Sequence, residues 1–331
     1  MTSPKFAVLA IGNAIVDVIA ETTDSFIEHE GLTKGGMTLI DTDQADALYG
    51  KMGPGREISG GSAANTLAGL AMLGHDCAFI GQVADDQLGA VFAHDIRATG
   101  IDFQVPARPG QPPTARCLIL VTPDAQRTMN TFLGASQFLP AQLIDPELIR
   151  NAAILYLEGY LWDPEEPRAA MRSAIDIARA AGRKVALTLS DAFVISRHGP
   201  DFLIELDAGR IDILFANEVE ITALAGTDDF EAAVAAIAAK VPLLVVTRGE
   251  HGAVAVRGDE RVAVSAEPVA KLIDTTGAGD LFAAGVLAGL SEGRDLAACL
   301  TMGSVCAAEV ISHYGARPEA DIKALVAARL A

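Results

Sequence analysis

Positive charge is scarce in this 331-residue chain: 25 Lys and Arg stand against 43 Asp and Glu, a formal net charge of −18. A nucleic-acid or anionic-membrane surface needs clustered Lys and Arg, so the deficit argues against both as partners. It leaves room for a phosphorylated small ligand, which needs only a few oriented donors. The surplus acid favours solubility. Cysteine is sparse as well. Cys77, Cys117, Cys299 and Cys306 are scattered, with no CxxC pair and no His at zinc spacing, which predicts buried thiols in a reducing cytoplasm. Aromatics make up only 5%, and the mean hydropathy of +0.31 rests on Ala and Val instead of long apolar spans. No uninterrupted apolar run can cross a bilayer. The first apolar stretch meets Gly12, Asn13 and Asp17 too soon for a signal peptide. Repeats and low-complexity tracts are absent too.

What is present is core material. Half of the residues are hydrophobic and 21% charged, so global disorder is excluded. At about 150 residues per domain the length fits one large domain or two smaller ones. Short apolar runs at Phe6–Ile11, Ala78–Gly81, Ile154–Leu157, Lys184–Leu189, Ile213–Ala216 and Leu243–Thr247 read as strands. Helical patterns lie between them at Thr66–Leu73, Leu88–Thr99, Pro167–Ala181, Glu218–Ala225 and Phe230–Ala239. That alternation predicts βαβ units and a mostly parallel sheet buried on both faces, flanked by helices. The alternation breaks at Phe103–Leu133, where Pro106, Pro109, Pro112 and Pro113 separate β-rich pieces. Thr114–Thr122 and Gln126–Phe132 read as antiparallel strands around a Pro123-Asp124 turn. With Ala14–Glu21 and Gly36–Ile40 they predict a small inserted β-sheet. The expected organisation is an α/β domain over 1–13, 41–102 and 134–331, with a β-lid over 14–40 and 103–133.

Chemistry concentrates in two glycine-rich stretches. In Asp274-Thr275-Thr276-Gly277-Ala278-Gly279-Asp280, small residues between two acids run straight into an apolar helical segment. A Gly-Ala-Gly turn at a helix start points backbone N–H groups outward, and the helix dipole adds positive charge. That makes a nest for a phosphate or for charge developing during phosphoryl transfer. Asp280 would repel a phosphate, but a carboxylate there can accept the proton of an attacking hydroxyl. An ordinary helix N-cap is the competing reading. The second stretch, Ser59-Gly60-Gly61-Ser62-Ala63-Ala64-Asn65, pairs glycines before a small-residue helix start, which permits close approach of a ligand or a hinge. Asn65 sits about one turn into that helix, within reach of a sugar hydroxyl; plain helix–sheet packing would use the same residues.

Together these stretches resemble the paired signatures of the ribokinase/PfkB-type family of small-molecule kinases. Gly12-Asn13-Ala14-Ile15-Val16-Asp17 resembles the family's sugar-contacting opening strand, Asn217-Glu218-Val219-Glu220 its Asn-x-x-Glu, and Thr247-Arg248-Gly249-Glu250-His251-Gly252 the turn bordering the nucleotide. The five motifs occur in the family's order, and the resemblance covers the chain from Phe6 to about Arg317. The resemblance implies a ribokinase-like α/β fold with a β-lid, and an enzyme using ATP with Mg²⁺. The Pro113–Cys117 and Asp124–Ala135 segments, the tail Ala307–Pro318 and Leu187–Phe193 resemble the adenosine-kinase branch. They imply transfer to the 5′-hydroxyl of a nucleoside, most simply adenosine to AMP. The nucleoside and ATP would be its only partners, and a monomer is expected.

On that resemblance Asp280 is the general base, and the Gly277, Ala278 and Gly279 amides hold the transferring phosphoryl group. Arg127, on the lid, would swing over it, unless it is only a solvated charge. Asn13, Asp17, Gly60, Gly61 and Asn65 are assigned to the ribose, whose adjacent hydroxyls can donate twice to the Asp17 carboxylate. Met37, Leu133, Tyr160 and Phe193 are candidates for the base wall. Leu161 stands where animal adenosine kinases carry an aromatic, with Tyr160, Trp162 or Phe193 as substitutes. Asn217, Glu220, Thr247, Gly249 and Thr275 are assigned to the nucleotide, Glu220 reaching Mg²⁺ through water; Asn217 and Glu220 also have capping-pair spacing. Ser304 and His313 are assigned to the adenine of ATP, with packing as the alternative. Asp274 and the Thr276 carbonyl resemble a monovalent-cation site, which would hold K⁺. The competing functions are a ribokinase- or fructokinase-like sugar kinase and a non-catalytic nucleoside-binding regulator on the same fold. A dinucleotide oxidoreductase is disfavoured because no G-x-G-x-x-G follows Phe6–Ile11.

Overall fold

The computed structural model describes residues 4–124 and 126–331. Met1, Thr2 and Ser3 of the N-terminal reading and Ala125 of the lid turn lie outside the described residues. Among the described residues, nine strands form one sheet in the spatial order Glu260–Val264, Ala253–Arg257, Leu243–Thr247, Ile213–Asn217, Lys184–Thr188, Ala152–Glu158, Phe6–Ile11, Cys77–Ile80 and Asp102–Phe103. Ala253–Arg257 pairs antiparallel with both of its neighbours, and every other pairing is parallel. All six strands expected from apolar runs lie in this sheet. The hairpin Ala253–Arg257/Glu260–Val264 was not among them, because its outer strand alternates exposed and half-buried residues and carries no continuous apolar run.

Strand Phe6–Ile11 sits between Ala152–Glu158 and Cys77–Ile80. The chain leaves it toward one side and later returns on the other, so a topological switch falls beside its C-terminal end. In open α/β sheets that is where a ligand crevice forms. Helices Ser62–Met72, Ala278–Ser291 and Leu296–Val310 cover one face of the sheet. Helices Glu165–Ala180, Ala192–Asp207, Glu218–Ala225 and Phe230–Ala238 cover the other. Gly69 lets Ser62–Met72 approach Ala278–Ser291 closely, since a Cβ there would strike Leu281 and Ala284.

A second sheet has the order Met37–Leu39, Arg127–Phe132, Ala115–Val121, Ile15–Glu21 and Arg56–Gly60. The fifth strand differs from the expected four pieces: 41–102 was assigned wholly to the large domain, yet Arg56–Gly60 pairs antiparallel with Ile15–Glu21. Its Arg-Glu-Ile-Ser-Gly sequence is too short and polar to announce a strand, and the pairing alone makes it one. Conversely, Asp102–Phe103 belongs to the large sheet. The back of the small sheet, with Val16, Val18, Leu118 and Leu120, packs in one core with Ile27 of helix Asp24–His29 and Leu48 of helix Thr42–Tyr49. No helix among the described residues is long and apolar enough to cross a membrane.

Candidate active site

The paired registers put Leu39, Thr131, Cys117, Asp17 and Ile58 in one lateral row, hence on one face of the small sheet. Met37, Met129 and Arg127 share that front face by the two-residue period. Asp17 therefore looks from the lid toward the switch point, while Val16 and Val18 look back into the lid core. Its carboxylate rests on Gly60, where a Cβ would overlap it, and a Cβ on Gly61 would strike the Asn13 carbonyl. Close approach of lid strand and opening loop thus explains the glycine pair before any hinge is invoked.

The core side of the site is built at two helix N-termini. Gly277 takes φ 79°, a left-handed conformation suited to glycine, and starts helix Ala278–Ser291. Asp280, in its first turn, is half-buried and accepts from Ser62 Oγ at 2.6 Å and Asn65 Nδ2 at 3.0 Å. These partners lie on helix Ser62–Met72, so the close packing at Gly69 joins the two signature stretches into one site. Burial raises the Asp280 pKa, opposed by the Ser62 and Asn65 hydrogen bonds and by the Arg317 charge. Space beside Gly279 is open, whereas the Ala278 N–H is engaged by the Thr275 carbonyl at 3.2 Å.

Burial also raises Asp17, to about 7; Arg317 and Arg127 counter it, while Asp280 and Asp274 add repulsion. Arg127 is only 8% exposed. Its Nη1 lies 2.8 Å from Asp274 Oδ2 and donates to Thr276 Oγ1 at 3.1 Å, while Nε and Nη2 are buried without partners. Both Asp274 oxygens are taken by protein donors: Oδ1 by the Thr276 N–H and hydroxyl, Oδ2 by Arg127 and the Gly315 N–H. A guanidinium already supplies the positive charge there, so this donor set does not fit a bound K⁺.

The sequence motifs do not single out Glu158. It ends strand Ala152–Glu158, is fully buried, and accepts from the Asn13 N–H at 2.6 Å, Asn13 Nδ2 at 2.5 Å and the Ala63 N–H at 2.9 Å. Burial raises it to about 7 against those three donors. Asn13 Oδ1 accepts from Ser136 Oγ at 2.7 Å, so the Asn13 side chain is engaged on both ends by protein. It braces the crevice floor. An acid ending an apolar strand was the available signal for Glu158.

The nucleotide assignments fall at the C-terminal ends of neighbouring strands. Asn217 and Thr247 are paired in register. Asn217 and Glu220 form a complete capping box: Glu220 takes the Asn217 N–H at 3.0 Å and Nδ2 at 2.7 Å, and returns its own N–H to Asn217 Oδ1 at 2.8 Å. Burial raises Glu220 to about 7. Gly249 faces open space at φ 54°, and Thr275 is exposed. Among the described residues no group of three or more His, Cys, Asp or Glu side chains is poised to hold a metal. His313 is tied to Glu309 at 3.2 Å, and Ser304 is buried on its helix. Their neighbours Val305, Ala308 and Ser312 line an open cleft of about 420 Å³ with Pro268 and Val269.

Of the base-wall candidates, Met37 is 46% exposed on the lid front and Phe193 64% exposed in the first turn of Ala192–Asp207, its ring under Arg197 at 3.9 Å. Leu133 is half-buried just after the lid strand Arg127–Phe132. Tyr160 is half-buried in the turn Gly159–Trp162 that follows strand Ala152–Glu158. Trp162 and Leu161 are core residues: both are fully buried, and Trp162 packs on Phe202 at 5.2 Å.

A family model described as pfkB family carbohydrate kinase matches residues 8–323. The solved adenosine kinase of Sinorhizobium meliloti is 48% identical, superposes with a TM-score of 0.92, and is covered over 99% of this chain and 100% of that one. The ribokinase of Arabidopsis thaliana is 27% identical over 96% of this chain and 80% of its own length. The adenosine kinase of Saccharomyces cerevisiae is 27% identical over 95% of this chain and 96% of its own.

Proposed function

The chain belongs to the PfkB family of carbohydrate kinases, ATP-dependent enzymes that phosphorylate hydroxyl groups, and on that premise we propose that it phosphorylates the 5′-hydroxyl of a nucleoside, adenosine first. The observation that carries this reading is the front of the lid. Asp17, suited to a ribose diol, shares its face with Met37 and Leu39, exposed by 46% and 49%. A free sugar needs a small polar pocket, whereas a flat base needs apolar room beside the ribose. The likeness to the Sinorhizobium enzyme supports the same choice.

In the proposed reaction the 5′-oxygen attacks the γ-phosphorus as the bond to the β–γ bridging oxygen breaks, leaving ADP. Asp280 accepts the hydroxyl proton, held in place by Ser62 and Asn65. Amides at Gly277 and Gly279 and the helix dipole stabilise the γ-phosphoryl charge. Arg127 has two unpartnered nitrogens to offer the phosphate once the lid closes. Mg²⁺ arriving with ATP would neutralise phosphate charge, with Glu220 holding its water. The reaction belongs to a reducing cytoplasm, in line with four free, buried cysteines.

The test is ATP consumption across adenosine, inosine, ribose and fructose under identical conditions, with calorimetry of the same compounds. Adenosine should bind and turn over best. Ribose bound as tightly as adenosine would return the chain to the sugar-kinase reading.

A further inference from the structure

Asp274 lies in the loop that leads into the Gly277 turn, with its side chain buried. A carboxylate offers about four lone-pair sites on its two oxygens. Oδ1 accepts from the Thr276 N–H at 3.1 Å and from the Thr276 hydroxyl at 2.8 Å. Oδ2 accepts from the Gly315 N–H at 3.0 Å and meets Arg127 Nη1 at 2.8 Å. Each oxygen thus has two protein neighbours, and one of the four carries a positive charge. Arg127 arrives from the lid: it begins strand Arg127–Phe132, and the same Nη1 donates to Thr276 Oγ1 at 3.1 Å. The Tyr314 ring lies 5.6 Å from the guanidinium carbon, within cation–π range. Among the described residues, Asp274 is the carboxylate that Arg127 pairs with.

We propose, on the phosphotransfer reading of the Gly277 turn, that Arg127 is the built-in cation of this site: its guanidinium takes the place beside Asp274 that a monovalent metal ion would fill, so that phosphotransfer needs no K⁺. A metal ion gives up its hydration shell only for oxygen lone pairs. Whatever carbonyls stand nearby, the carboxylate that would supply the countercharge has both oxygens engaged by protein. A metal ion sharing Oδ2 would also stand beside the guanidinium where water barely reaches, the two side chains being 6% and 4% exposed, and like charges repel strongly there. A buried acid still needs a counter-charge, and Arg127 meets that need without a metal. Its task here is one of positioning. By neutralising Asp274 it keeps that carboxylate ionised and turned toward the Thr276 and Gly315 N–H groups, which fixes the loop just ahead of the phosphoryl nest. Only Nη1 is used for this, so the task is separate from the contact that the unpartnered Nε and Nη2 offer the phosphate.

The experiment measures kcat and the KM for ATP with the acceptor the parent turns over fastest. Potassium, sodium and tetramethylammonium chloride are compared at one ionic strength, the last ion being too large for the site. The parent should give the same values in all three salts within about 1.5-fold. Arg127→Met should lose turnover, and regain it by about threefold or more in potassium over tetramethylammonium, because an ion can then enter beside Asp274. Crystals of both proteins grown with thallous ion, a K⁺ surrogate located by its anomalous scattering, give a readout free of activity. No thallous ion should lie at Asp274 in the parent, and one should in Arg127→Met. A parent activated about threefold or more by potassium, or holding thallous ion at Asp274, overturns the proposal. So does a folded Arg127→Met as indifferent to potassium as the parent, the result expected if Arg127 only clamped the phosphate. Should that variant not fold, the two readouts on the parent decide. A parent inactive on every acceptor sinks the phosphotransfer reading instead, and the thallous-ion result still tells whether Asp274 takes a metal ion.

Discussion

In the nine-stranded sheet alternate residues enter two separate cores: Leu9, Leu155, Leu187 and Leu214 on one side, Ala10, Tyr156, Ala186 and Phe215 on the other. In the five-stranded sheet the back is buried in a core, while the front is covered unevenly: Cys117 and Arg127 are buried, Asp17 is half-buried, and Met37 and Leu39 lie exposed at its edge. The backbone geometry is the same; the cover over the second face differs. A sheet buried on both sides has its register set by packing on each face. A sheet with one partly open face keeps side chains free for a ligand and can move as a unit on few connections. The proposed catalytic geometry draws on both, with Asp280 on a helix of the rigid layer and Asp17 on a strand of the other.

That contrast can be broken in several ways. The largest effect should come at the junction of the rigid elements. Asp280→Asn keeps the shape of the site but cannot take a proton, so kcat should fall by about 100-fold or more while KM changes little. Near-parental turnover in steady-state assays of the folded variant would remove Asp280 from the role of base. Next is core packing: Leu9→Ala, between covered faces, should cost about 3 kcal/mol in denaturant unfolding. A cost under about 1 kcal/mol would mean that this layer is no better packed than the lid.

Glu158 sharpens the comparison through pH. Its folded pKa, about 7, lies above the ordinary 4.5 of an unfolded glutamate, so between these values the folded state holds the extra proton. Its contribution to stability is therefore largest below the unfolded pKa and is lost as pH rises through about 7; Asp17, raised from 3.8, works in the same direction. Glu158→Gln should flatten the fall in melting temperature between pH 5 and 8, and cost about 1–3 kcal/mol by turning an amide toward the Ala63 or Asn13 N–H groups. An unchanged pH slope would show that Glu158 does not titrate in this window. The smallest stability effect belongs to the lid front. Met37→Ala and Leu39→Ala should change stability by under about 0.5 kcal/mol yet raise the adenosine KM several-fold, with little effect on ribose. Equal effects on both acceptors would detach the lid front from the base.

The fold class and the two signature stretches were legible in the sequence for local reasons. A strand buried on both faces must be apolar along its buried length, as Leu243–Val246 is, and a nest at a helix start must be small and glycine-rich, as Gly277–Gly279 is. Neither depends on anything distant in the chain. Tertiary structure alone decided which polar residues meet. Nothing in Arg56–Gly60 names Ile15–Glu21 as its partner, and the Asn217–Glu220 spacing fits a capping box whether or not a nucleotide is near. Glu158 lies 145 residues from Asn13, and Asp280 lies 218 from Ser62. Trp162 and Phe193 each follow the end of one of two paired strands, Ala152–Glu158 and Lys184–Thr188, but one is sealed in the core and the other open to solvent. Burial, and the pKa shifts that follow from it, come from elements packed against a residue and not from its neighbours along the chain. The sequence by itself therefore determined the layers and the kinds of chemistry available, while only packing decided which polar side chains meet and which of them are buried.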